Sequence, residues 1–109
     1  MELLEGERVL AFDLETTGIS TSRDRIVQLA LIGSDVDGTE ISYDQLVNPR
    51  RSIPYESQRI HGISDSDVRH KPDFSEIADN IAELVEGSVL IGHNVRQFDL
   101  PMLRNEFFR

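Results

Sequence analysis

Apolar residues fall along the chain in short runs of two different periods, and the periods divide it into elements. Residues 8 to 15, RVLAFDLE, are apolar at both phases of a two-residue repeat until two acids appear, the pattern of a central strand covered on both faces. Thr16-Thr17-Gly18 ends that run, and residues 25 to 33, RIVQLALIG, supply a second β-branched and aliphatic one. Asp37-Gly38 is the strongest hairpin signal, and residues 40 to 47 alternate as a returning third strand, so strands one to three form an antiparallel meander. Residues 48 to 54 hold two prolines and leave the sheet as a loop that continues to Ile60-His61-Gly62.

Beyond the loop the period changes to that of a helix. Asp73 and Glu76 have capping-box spacing, and Ile77, Ile81, Leu84 and Val85 then recur on one helical face until Gly87. Residues 88 to 92, SVLIG, read as a short buried strand after a crossover helix, and residues 99 to 108 as a final helix with Pro101 in its first turn. The order β-β-β-α-β-α predicts an α/β fold, and the crossover helix before strand four allows it to lie parallel to strand one. A length of 109 residues allows one small domain, spanning 1–109.

Composition narrows the chemistry. The chain has no cysteine, which removes disulfides, thiolate metal sites and cysteine nucleophiles, so any metal must sit on carboxylates and imidazoles. No apolar run is long enough for a bilayer helix and the first residues are acidic, so a soluble cytoplasmic protein with no membrane partner is expected. Twenty acids against eleven basic residues give a net charge of -9, which repels polyanions at long range and leaves only local basic patches for nucleic acid. Ten of the eleven basic residues are arginine, suited to bidentate phosphate contacts, although base composition or salt adaptation explains the bias as well.

Two constellations could carry chemistry. Asp13 and Glu15 are two apart in a strand, so their carboxylates share one face, and an uncompensated pair there costs several kcal/mol. A hard divalent cation compensates them with oxygen ligands alone, and Arg23 or Arg25 is the purely structural alternative. The second constellation is Gly92-His93-Asn94 at the end of strand four with Phe98-Asp99 at the start of the last helix. If strands four and one are parallel, Asp99 faces Asp13 across the crevice at the strand ends; otherwise Asp99 merely favours the helix N-terminus, and His93 and Asn94 are a strand-end pair. Three converging acids would make a site for two Mg2+ or Mn2+ ions that orient a water and stabilise the leaving oxygen of a phosphodiester. Of the histidines, His61, His70 and His93, none occupies an obvious position for a general base.

These residues carry a resemblance. VLAFDLETTGI at 9 to 19 and IGHNVRQFDLPML at 91 to 103 resemble the first and second motifs of the DEDD superfamily of DnaQ-like 3′ to 5′ exonucleases, which includes the proofreading epsilon subunit of bacterial replicative polymerase. NPRRSIPYESQRIHGIS at 48 to 64 is similar to the segment between those motifs. The resemblance implies a ribonuclease H-like exonuclease fold, with Asp13 bridging two metals, Glu15 holding the first and Asp99 serving the second. It further implies that Thr16, Thr17 and Gly18 lie along the 3′-terminal nucleotide, that Glu56 and His61 approach it, and that His93 and Asn94 flank it. For His61 a loop role, fixing the turn before Gly62, stands beside the ligand contact, and His70 reads as surface.

Two departures from the family pattern set expectations. Three residues, Val95-Arg96-Gln97, stand between Asn94 and Phe98 where the proofreading pattern usually has two. The third motif, with the usual base and fourth acid, has no counterpart up to Arg109. The expectation is therefore a partial exonuclease domain, with strand four an open edge and an apolar face around Leu100, Leu103, Phe107 and Phe108 that invites self-association or a second chain. The leading function is metal-dependent hydrolysis of single-stranded DNA or RNA 3′ ends to nucleoside 5′-monophosphates, weak or absent in this chain if the third motif is essential. The alternatives are a non-catalytic module that binds a nucleotide, a nucleic-acid end or a protein, and an adaptor whose acids are neutralised by arginines. A DNA polymerase as partner rests on the family analogy alone.

Overall fold

The structure is a computed structural model that describes residues 6–92 and 95–109, without the side chains of residues 95 and 96. His93 and Asn94 therefore lie outside the described residues. Three strands, β1 (Arg8–Thr16), β2 (Ile26–Ser34) and β3 (Glu40–Leu46), form the expected antiparallel meander. The β2–β3 turn closes as its sequence demands: Gly38 takes φ 86°, its N–H reaches Asp35 O at 2.9 Å, and Asp37 Oδ1 accepts from Thr39 N–H at 2.9 Å. The chain then runs through α1 (Tyr55–His61), α2 (Asp65–Val68) and α3 (Phe74–Val85) to β4 (Ser88–Ile91), a π-helical turn (Val95–Asp99) and α4 (Leu100–Phe107). The sheet order is β3-β2-β1-β4, with β4 parallel to β1 at one edge.

β1 alternates in burial, and this corrects the expectation of a strand covered on both faces. Leu10, Phe12 and Leu14 are buried in the core with Leu29 and Leu31 of β2, Ile77 and Ile81 of α3, and Met102 and Leu103 of α4. The other face is open at Ala11 and Asp13. It looked apolar in sequence because Val9 and Ala11 occupy its phase; in the fold Ala11 pairs with Ile32 on one side and Ile91 on the other, isoleucines that are each 49 % exposed.

α3 begins as its spacing predicts. Asp73 accepts from Glu76 N–H and Glu76 returns a bond to Asp73 N–H, both at 3.2 Å. The segment read as loop contains α1, and α2 follows it. α1 buries no residue, so it has no apolar stripe to reveal it; its signals were Pro54 before it and Gly62 after it, which takes φ 75° as its C-cap. α2 is one turn with its own capping box, Ser64 to Asp67. A small cluster of Val27, Ile53, Ile63 and Val68 anchors this segment to the sheet.

Of the apolar set expected on the last helix, Leu103 is in the core, while Leu100, Phe107 and Phe108 are 37 %, 38 % and 81 % exposed, Phe107 also packing edge-on against Phe74 with ring centroids 5.0 Å apart. The three residues Val95-Arg96-Gln97 fall within the π-helical turn that precedes α4, a wider turn than an α-helix makes.

Candidate active site

Among the described residues β4 pairs with β1 only from Arg8 to Ala11, so no described strand borders the last part of β1 on that side, and the π-helical turn packs there. On the other side, the β1–β2 register slips between Glu15 and Thr16, a bulge of the kind that re-aims side chains at sheet rims. The C-terminal end of β1 is thus a notch in the sheet. Asp13 and Glu15 face it from the strand's open side, and Asp99 ends the turn beside it, 6 % exposed.

Among the described residues neither Asp13 nor Glu15 has a hydrogen-bond or ion-pair partner, which corrects the alternative in which arginines neutralise them. Arg23 is engaged with Ser20, and Arg25 sits by Glu106 and Arg109. Two same-face carboxylates without a counter-cation are a donor set that fits a hard divalent ion. They are not yet a complete ligand shell, because no three His, Asp or Glu side chains among the described residues are gathered closely enough to hold a metal.

Next to the acids lies a cavity of about 520 Å³ between the 14–19 segment and α1. Glu15, Thr16 and Gly18 line it from one side, Glu56 and His61 from the other, and Phe98 closes one end. Ile19 and Ile60, 91 % and 85 % exposed, stand at this cavity and give it an apolar rim. The expected residues Thr16, Thr17, Gly18, Glu56 and His61 are therefore brought together around one space.

The roles of two of them are specific. Thr17 is almost fully buried; its hydroxyl donates to Asp24 Oδ1 at 2.8 Å and accepts from Arg25 N–H at 3.0 Å, so it builds the wall. His61 Nδ1 accepts from Ile63 N–H at 3.0 Å, which leaves the proton on Nε2 to donate to Thr16 O at 3.1 Å. Both ring nitrogens are thus tied to backbone, the loop-fixing role weighed in the sequence. His61 holds α1 against the end of β1.

Asp24 was not singled out in the sequence, yet it organises the loop. Its carboxylate takes the Thr17 hydroxyl and, at 2.9 Å, Ser20 N–H, and it lies so near Gly18 that a Cβ there would fall 2.5 Å from Asp24 Oδ2. Ser57 Oγ donates to Thr17 O at 2.6 Å, a second tie from α1. α4 grips the same loop: Asn105 Nδ2 donates to Thr21 O at 2.6 Å, and the buried Glu106 accepts from Ile26 N–H at 2.8 Å while pairing with Arg109 at 3.1 Å. Ser57, Asn105 and Glu106 became visible as partners only with the fold, since they lie 40 to 84 residues from the backbone groups they hold.

Comparison with known proteins matches this arrangement to one family. The RNase_T exonuclease model covers residues 10–109. The chain is 35 % identical over 96 residues to the DNA polymerase III subunit epsilon of Treponema pallidum, covering 88 % of this chain and 44 % of that protein. It is 40 % identical over 101 residues to a DNA polymerase III subunit epsilon-like protein of Rhodobacter capsulatus, covering 89 % and 14 %. It superposes on E. coli exonuclease I in complex with a dA16 oligonucleotide with a TM-score of 0.80 at 27 % identity, over 94 % of this chain and 24 % of that one. The zinc-bound exonuclease I complex with single-stranded DNA gives 0.81 at 26 %, over 95 % and 24 %. The chain thus spans less than half the length of these relatives. Its mixed sheet is the ribonuclease H-like fold, no helix among its described residues is long and apolar enough to cross a membrane, and it belongs to the RNase_T exonucleases of the DEDD superfamily, with DnaQ-like epsilon subunits among its relatives.

Proposed function

We propose that this chain carries a divalent-metal-dependent 3′ to 5′ exonuclease site that hydrolyses the terminal phosphodiester of single-stranded DNA or RNA to a nucleoside 5′-monophosphate. The observation that carries the reading is the pair of acids, Asp13 and Glu15, unneutralised at a notch in the sheet beside a cavity of nucleotide size. Relatives named as polymerase subunits and neighbours holding single-stranded oligonucleotides support a strand end as substrate and a DNA polymerase as partner.

In this reading Asp13, Glu15 and Asp99 hold two Mg2+ or Mn2+ ions, which when bound supply the positive charge that lowers the pKa of water and stabilises the leaving 3′ oxygen. Ile19, Ile60 and Phe98 give the terminal base an apolar surface to cover, and Gly18 lets the strand approach the backbone. His93 and Asn94, next in sequence to β4, would flank the same end. Glu56 reaches the cavity from α1 as an acceptor for a sugar hydroxyl. His61 positions α1 and is not the general base, since Nδ1 already accepts a backbone N–H and Nε2 already donates.

A second reading, a module that binds nucleic-acid ends without cutting them, is favoured by the lack of a three-ligand metal set among the described residues. One assay separates the two. A 5′-labelled single strand incubated with the chain in Mn2+ should shorten stepwise from its 3′ end and release mononucleotides, and Asp13→Ala should abolish this. A folded chain that binds the strand but never shortens it would establish the binding module.

A further inference from the structure

We propose that a second cavity, between the start of β2, the 48–50 segment and the ends of α3 and α4, is an oxyanion site in which Arg25, Arg50 and Arg109 hold a phosphate group. The inference goes beyond the exonuclease reading and does not depend on it. The cavity, of about 360 Å³, lies across the 17–25 loop from the first: Asp24 lines one and its neighbour Arg25 the other.

The first argument is charge. In a chain of net charge -9, three guanidinium groups line this one space. Its two acids are already engaged, Glu106 with Ile26 N–H and Arg109, and Asp73 with the α3 cap and Arg50. Arg25 has no ion pair of its own among the described residues, and its Nε is buried there without a hydrogen-bond partner. A buried donor left in that state destabilises the fold, and a small shift of the side chain toward an oxyanion in the cavity would satisfy it. Burial, then the nearby charges of Arg109 and Arg51, holds the Arg25 guanidinium below the usual arginine range, with Glu106 acting in the opposite sense. A bound anion relieves both effects.

The second argument is backbone strain. Arg50 has φ 57°, the one positive value outside glycine among the described residues, and its N–H is held by Asn48 Oδ1 at 2.8 Å. Such a conformation is unfavourable for a residue with a Cβ and persists where surrounding contacts enforce it. Here it brings the guanidinium to the cavity mouth, where it is 60 % exposed while touching Asp73. Planar arginine forks from three separate segments suit the several oxygens of a tetrahedral phosphate better than a single carboxylate. The group could be free phosphate or the backbone phosphate of a strand.

The test is a titration of the 109-residue chain with inorganic phosphate at constant ionic strength, followed through arginine Nε–H resonances. The Arg25 and Arg109 signals should move and saturate while those of Arg59 and Arg69 stay. Arg50→Gln, at an exposed position, should weaken binding about fivefold, and Arg25→Gln at least as much. If Arg25→Gln unfolds, Arg50→Gln still decides. Shifts that are linear and shared by all arginines, or an affinity unchanged in Arg50→Gln, would overturn the proposal. An eight-residue oligothymidylate that displaces phosphate assigns the site to a strand's phosphate, and phosphate shifts that survive the oligonucleotide assign it to the free ion.

Discussion

The two faces of β1 are built from the same nine residues and obey opposite rules. On one, Leu10, Phe12 and Leu14 are packed beneath α3 and α4. On the other, Ala11 and Asp13 are open and Glu15 is half-buried, without a compensating cation among the described residues. The first face obtains its stability from area removed from water. The second leaves two like charges side by side, which only a ligand can turn to advantage. A strand that holds a fold together with one face can therefore tolerate a poorly compensated site on the other.

That contrast can be broken by substitution, and the largest effect belongs to the packed face. Leu10→Ala should lower unfolding free energy by about 3 kcal/mol in urea melts, whereas Asp13→Asn should change it by no more than about 0.5 kcal/mol. A large loss in Asp13→Asn would mean the acids are structural. Next comes the tie between α4 and the cavity loop. Glu106→Gln leaves Ile26 N–H with a weaker acceptor and Arg109 without its counter-ion, and should cost about 2 kcal/mol by the same measurement.

Smaller effects sharpen the comparison at the rim. His61→Ala removes two backbone hydrogen bonds and should destabilise by about 1 kcal/mol, with strand affinity falling in the same variant because α1 loosens. Ser57→Ala, which loses one tie to Thr17 O, should do less. The smallest effect is electrostatic. Asp73 is held below the usual carboxylate value of 3.8, first by the Ser75 hydroxyl, whose effect burial opposes, and then by Glu76 N–H and Arg50. Its folded pKa is depressed, so its stabilisation is complete above that value and is lost as pH falls through the lower folded one. Asp73→Asn, which keeps a cap, should lose less melting temperature than the parent chain between pH 6 and pH 3.

What could be read from the sequence follows the same division. The meander, the Asp37-Gly38 turn and the α3 cap were legible because each depends on residues near one another in the chain, whereas the parallel β4, paired with β1 some 80 residues away, was expected from the crossover helix and the family resemblance. The acid pair was legible from its spacing in a strand, and the cavity residues Thr16, Gly18, Glu56 and His61 only through the resemblance of their segments to the family motifs. α1 was hidden because a helix with no buried residue leaves no periodic trace, and the open face of β1 was misread because Val9 and Ala11 make the second phase of the strand apolar although that face is uncovered at Ala11. Asn105 and Glu106 act across the fold, on backbone groups whose proximity no local pattern encodes, whereas Asp24 acts on Thr17 and Ser20 within its own loop. The three residues before Phe98 fall within the π-helical turn, whose structural consequence depends on how α4 meets the sheet.

The most direct test of the central claim is where Mn2+ binds. Amide spectra of the 109-residue chain recorded with sub-stoichiometric Mn2+, beside those of Asp13→Asn, report this without requiring turnover. Broadening that begins at residues 13 to 16 and around Asp99, and disappears in the variant, is the result predicted here. Broadening that starts instead at the exposed acids of the β2–β3 turn or of α2, or that persists unchanged in Asp13→Asn, would contradict a metal site at the notch in the sheet.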